Sequence, residues 1–139
     1  MRYWLALAAA SLAQTVPAQE YTRYHGGWQG PFLLYVTQQD TAQGPPAVYS
    51  GSLQIDGDGS VRGQLPEAAC TMRGSSSDFV STANASLDLD ISGCKDTRFN
   101  GHFVGRLINN PALQYASLRL SSMRSLDAGT AQVSAILRR

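Results

Sequence analysis

No long apolar run at helical spacing follows residue 20 of the 139-residue chain, which argues against a helical bundle or coiled coil. Charge is sparse: 15% of residues are charged against 43% hydrophobic, a composition that folds rather than one that stays disordered. The formal net charge of +1 offers no basic excess of the kind that phosphate binding requires, so nucleic acid is not an expected partner. Histidine occurs only at His25 and His102. The patterns G-x-S-x-G, H-E-x-x-H and G-x-x-x-x-G-K are absent, which removes the ordinary nucleophile, zinc and nucleotide motifs. No enzyme activity and no cofactor are expected. What is abundant is turn-forming: thirteen glycines and six prolines among many Ser and Thr, the composition of a small β protein of one domain.

The first residues read as an export signal. Met1 and Arg2 give a short positive start, and Tyr3 to Leu12 form an apolar run about half the length a transmembrane helix needs. Val16-Pro17-Ala18 places small residues where a signal peptidase cuts, so residues 1–18 are assigned to a signal peptide, 19–27 to a flexible leader and 28–139 to a single β domain. No cysteine precedes Cys70, so a lipid anchor is not expected. The mature protein is therefore expected in the periplasm or outside the cell, without stable membrane insertion. In that compartment thiols are oxidised, and the only two cysteines, Cys70 and Cys94, are expected to form a disulfide. Closing that loop stabilises a small fold by about 3 to 4 kcal/mol on the chain-entropy account.

From Trp28 onward the chain alternates strands and turns. Trp28 to Thr37 is rich in aromatic and β-branched residues and is followed by a polar loop, Gln38 to Pro46. In Ser52 to Leu65 the residues Leu53, Ile55, Val61 and Leu65 share one face around the turn Asp56-Gly57-Asp58-Gly59. A short strand with Cys70 and Met72 leads into a Gly74-Ser75-Ser76-Ser77 loop. Phe79 to Ile91, Phe99 to Leu107, Leu113 to Leu120 and Ala131 to Leu137 then repeat the period of two, with Leu87, Leu89 and Ile91 inward and Asp88 and Asp90 outward. About eight short strands without intervening helices predict an all-β fold of antiparallel strands in a small closed barrel, the alternative being a β-sandwich. Gly51, Gly63, Gly101 and Gly105 fall within strands, where a small barrel bends.

Gly26-Gly27-Trp28 at the head of the first strand forms a G-x-W that resembles the opening motif of lipocalin- and avidin-like barrels. The later turn and basic motifs of lipocalins have no counterpart that can be placed, so the resemblance implies a barrel and carries no ligand. The glycine-rich hairpin, Cys70, Ser92-Gly93-Cys94 and Phe99-Asn100-Gly101 through Leu107 are together similar to small exported β-rich proteins of proteobacteria whose role is not established. That likeness covers residues 48 to 108 and implies location and fold.

Charge is distributed unevenly. Residues 19 to 90 hold three Arg against eight carboxylates, and residues 91 to 139 hold six Arg and one Lys against two. Either acidic and basic strands become neighbours and cancel, or Arg106, Arg119, Arg124, Arg138 and Arg139 build a basic face for an acidic partner or an anionic envelope polymer. Arg106, Arg119 and Arg124 are the candidate binding residues. Asp56, Asp58, Ser60 and Glu67 have the spacing of calcium-loop positions 1, 3, 5 and 12, but Val61 stands where that loop needs glycine, so no metal is assigned. The expected function is that of a small exported, disulfide-stabilised binding module of the bacterial envelope, its partner an unknown protein, a glycan or a small apolar ligand. The loops Gln38 to Pro46, Gly74 to Asp78 and Ser121 to Gly129 are the expected contact surfaces. The alternatives are an envelope hydrolase using Asp88, Asp90 and His102, or a structural envelope component. Convergence of those three residues in one pocket would favour the hydrolase, and an open polar face would favour binding.

Overall fold

The computed structural model describes residues 24–78, 84–127 and 129–139. The assigned signal peptide lies outside them. The strands are β1 (Gly26–Gln38), β2 (Thr41–Ala42), β3 (Ala47–Ile55), β4 (Ser60–Leu65), β5 (Cys70–Asp78), β6 (Asn84–Ser92), β7 (Gly101–Asn110), β8 (Tyr115–Leu126) and β9 (Gly129–Leu137). Apart from β2, each strand pairs antiparallel with the next in sequence, and β9 returns to pair with β1 from Phe32↔Ala135 to Thr37↔Thr130. The fold is thus a closed, eight-stranded up-and-down barrel with one extra strand. Closure removes the open edges that an isolated sheet of this size would expose.

The period-two pattern sends one residue in two to the axis. Inward side chains from all eight barrel strands, among them Phe32, Leu53, Leu65, Met72, Leu89, Phe103, Leu118 and Val133, belong to one buried cluster. An eight-stranded barrel is just wide enough for such side chains to fill it. The alternating Leu87, Leu89 and Ile91 point inward as expected, and Asp88 and Asp90 point out. Gly105 marks a place where strands approach closely, since a Cβ there would meet the backbone carbonyl of Arg119 on β8.

Several expectations are corrected. Gly74 to Asp78 is not a loop but the second half of β5, paired with β4 through Ser75 and with β6 through Asp78. A Gly-Ser run has little strand preference of its own; ladders on both sides supply the pairing. Ser121 to Leu126 likewise continues β8, with a bulge between Ser121 and Ser125. The Gln38 to Pro46 loop contains the two-residue β2, closed on β1 by a tight turn at Gln39 and Asp40, both at positive φ. The expected leader also ends earlier. β1 begins at Gly26, and Tyr24 and His25 are only 0% and 8% exposed. One contact is local and one remote: the Trp28 indole donates to the Tyr24 carbonyl at 2.8 Å, and the Arg139 guanidinium lies 4.4 Å above the Trp28 ring and donates to the His25 carbonyl. This packing closes one end of the barrel.

The opposite end carries the Cys70–Cys94 disulfide, which joins the entry to β5 with the segment after β6. Two backbone anchors support it. Lys95 N–H donates to the Ala68 carbonyl at 3.0 Å, and Cys94 N–H donates to the Asn100 side-chain oxygen at 2.9 Å. Asp96 caps the short 3-10 turn Thr97–Phe99 by accepting from Arg98 N–H, and its bonds to Arg98 hold its carboxyl below the usual range. Phe99 leaves that turn buried in the core rather than continuing β7.

Candidate functional site

Among the described residues, three groups of outward side chains hold chemistry. The first lies across β6 and β7, where Asp90 is opposite His102 and two residues from Asp88 on the same face. The His102 ring contacts both carboxylates, Nδ1 to Asp90 at 2.9 Å and Nε2 to Asp88 at 3.0 Å. The three residues expected as a catalytic set therefore do meet. They meet on an open surface, with side chains 42%, 59% and 78% exposed for His102, Asp88 and Asp90. The hydrogen bond to Asp90, with the charge of Asp88 behind it, raises the His102 pKa above the ordinary histidine value. A raised pKa favours the imidazolium, and both ring nitrogens are engaged with carboxylates. A general base needs a free, neutral nitrogen, so this arrangement is better suited to clasping two strands than to taking a proton. Arg73 on β5 sits opposite Asp90 from the other side, continuing the alternation of charge.

The second group is the set of arginines. Arg106 on β7 and Arg119 on β8 are directly opposite each other, flanked by Ser86 and Ser134. Arg124 does not join them. It lies past the β8 bulge, roughly 15 Å along the strand from Arg119, with its guanidinium donating to the Asn100 carbonyl at 3.0 Å. Arg138 and Arg139 belong to the capped end, where they line a cleft of about 400 Å³ with Trp28, Asn109 and Gln114. The five arginines occupy three places.

The third group was not legible in advance. On the outside of β8, β9 and β1, the Ser121 hydroxyl donates to Gln132 Oε1 at 2.6 Å, and Gln132 Nε2 donates to the Thr37 hydroxyl at 3.1 Å. This polar line forms the floor of a cleft of about 460 Å³ whose walls include Tyr35, Asp40, Ala42 and Arg119. The β1–β2 turn supplies Asp40 and the partner strand two places away supplies Arg119, so the cleft has an acidic and a basic side. Its polar members come from the outward phase of the β8–β9 hairpin and of β1, which is remote in sequence, and the closing of β9 on β1 brings the two together. Of the residues singled out by sequence, Arg119, the Gln38 to Pro46 loop through Asp40 and Ala42, and Ser121 of the Ser121 to Gly129 surface contribute to it.

The calcium-loop spacing has no geometric counterpart. Asp56 and Asp58 stand at one end of β4 and Glu67 beyond its other end, in the 3-10 turn Pro66–Ala68. Asp58 accepts instead from the Ser60 backbone at 2.9 Å, and Asp56 pairs with Arg62 at 3.3 Å, the bonding of a hairpin turn in which Gly59 takes a φ of +93°. No protein-family model, curated protein or solved structure matches the chain.

Proposed function

We propose that this protein is a small exported, disulfide-stabilised binding module of the bacterial envelope that engages its ligand on the outer surface of the barrel. One observation carries the reading: inward side chains from every barrel strand are packed into a single core, so contact chemistry is left to the exterior. The packed interior favours an external ligand over an apolar molecule held inside. Among the exterior features, the β1–β8–β9 cleft combines concavity with charged, amide, hydroxyl and aromatic groups, the composition of a recognition site. Export is supported by the Met1 to Ala18 segment and by a disulfide of the kind that persists in oxidising compartments.

The hydrolase reading draws on the contact of His102 with Asp88 and Asp90, and is weakened by the exposure of all three and the engagement of both ring nitrogens. The deciding experiment combines cross-linking of the mature protein in envelope extract, read by mass spectrometry, with an assay against peptide and glycan libraries. Cross-links concentrated on β1, β8 and β9 support the proposal. Catalytic turnover lost on His102→Ala substitution overturns it.

A further inference from the structure

Resting on the binding-module reading, we infer that the β1–β8–β9 cleft is a site for an acidic saccharide, with the sugar ring over Gln132 and its carboxylate toward Arg119. The inference begins with unspent hydrogen-bonding capacity. A glutamine amide has two donor hydrogens and an acceptor oxygen with two lone pairs. Gln132 uses one donor on Thr37 and one acceptor position on Ser121, which fixes which way round the amide lies. One donor and one acceptor position are left, beside two hydroxyls with capacity of their own. A sugar hydroxyl is itself both donor and acceptor, and a row of them matches a row of mixed groups. Simple anions or apolar molecules would leave half of this capacity unused.

The charges give the ligand a direction. Arg119 and Asp40 flank the floor from opposite sides, with β9 between their strands. A carboxylate takes two parallel hydrogen bonds from a guanidinium, whereas a lone carboxylate such as Asp40 accepts from neutral hydroxyls. Tyr35 supplies a ring beside the floor, an apolar surface for the C–H face of a pyranose. The volume of about 460 Å³ suits one or two sugar units.

The test is titration of the full mature protein, followed by NMR, with a glucuronate-terminated disaccharide, the glucose-terminated disaccharide of the same linkage, sodium acetate and a glutamate-rich peptide. The acidic disaccharide is expected to bind about tenfold more tightly than the neutral one and than acetate. Arg119→Gln and Gln132→Ala are each expected to weaken it by about tenfold or more, while Arg62→Gln on the opposite side of the barrel leaves it unchanged. Both substitutions are at solvent-facing positions, and an unchanged circular dichroism spectrum shows that the fold is kept. Equal binding of acetate and acidic sugar, indifference to Arg119→Gln, stronger binding of the peptide, or no binding at about 10 mM sugar each overturns the acidic-saccharide site. If the sugars fail while cross-links still map to β1, β8 and β9, the site's ligand is wrong and the binding-module reading stands. If the sugar is cleaved, that reading falls as well.

Discussion

Replacing Gly105 by alanine tests the barrel geometry at its tightest point. A methyl group there is aimed at the carbonyl of Arg119, with the Arg119 carbonyl carbon at 2.7 Å and the Leu120 Cα at 2.9 Å, all of it backbone that no rotamer change can move. The strands must therefore separate locally. Losing one or two ladder hydrogen bonds costs about 1 kcal/mol each, and the overpacking adds about 1 to 3 kcal/mol. Restricting the unfolded chain returns about 0.5 to 1 kcal/mol. The net expectation is a loss of about 2 to 4 kcal/mol, or roughly 10 °C in Tm for a domain of this size. Gly27→Ala is the matched control, since its new methyl group meets only the flexible end of Gln54 at 3.1 Å. Only the entropy term then acts, so this variant should equal the parent or exceed it by up to about 1 kcal/mol. Urea unfolding followed by far-UV circular dichroism reads both. A Gly105→Ala protein within about 1 kcal/mol of the parent would refute the close approach of β7 and β8 and, with it, the register that places Arg106 against Arg119.

Reduction of Cys70–Cys94, or replacement of both residues by serine, should lower stability by about 2 to 5 kcal/mol, measured as the shift in urea midpoint with and without reductant. Arg139→Ala removes the cover over Trp28 and the bond to the His25 carbonyl, and should cost about 1 to 3 kcal/mol in unfolding with an altered Trp28 fluorescence maximum. His102 should titrate by NMR above the usual histidine midpoint and return toward it in Asp90→Asn. Because the folded pKa is the raised one, the clasp's contribution is complete below the unfolded histidine value and disappears as pH rises through the folded midpoint. A stability profile flat across that window, or a midpoint unmoved in Asp90→Asn, would count against the clasp.

What could be read from the chain was set by short-range chemistry. Asp56-Gly57-Asp58-Gly59 declares its turn because only those residue types satisfy the backbone there, and Leu87, Leu89 and Ile91 declare a half-buried strand by their period. With two cysteines the pairing has one solution. Gly74 to Asp78 carries no strand signal of its own, because its strand state is imposed by β4 and β6 and not by its own residues. The order at Tyr24 and His25 is not legible in their own neighbourhood, because one of the contacts that hold it, to the His25 carbonyl, arrives from Arg139 across a sequence separation of 114. The cleft depends on the same kind of remote meeting, since Gln132 and Thr37 are 95 residues apart. The period of two says that both point outward. It does not say that they share a row, which follows from the stagger with which β9 closes on β1.

That stagger also settles how the uneven charge is used. The carboxylates of the earlier strands meet the basic later strands first at the β6–β7 seam, where Asp88, Asp90 and His102 bind them together and spend the attraction on strand pairing. At the other seam, β9 meets β1, whose outward residues Gln29, Leu33, Tyr35 and Thr37 carry no charge. The carboxylates of β6 thus face His102 of β7 on one flank, and on the other Arg119 borders the cleft with Asp40 of the β1–β2 turn across it. A protein with a net charge of only +1 can in this way present a basic and an acidic side within one cleft, because attraction follows where charges lie and not their sum. The closure that packs the core and the polarity that faces the cleft are consequences of one register.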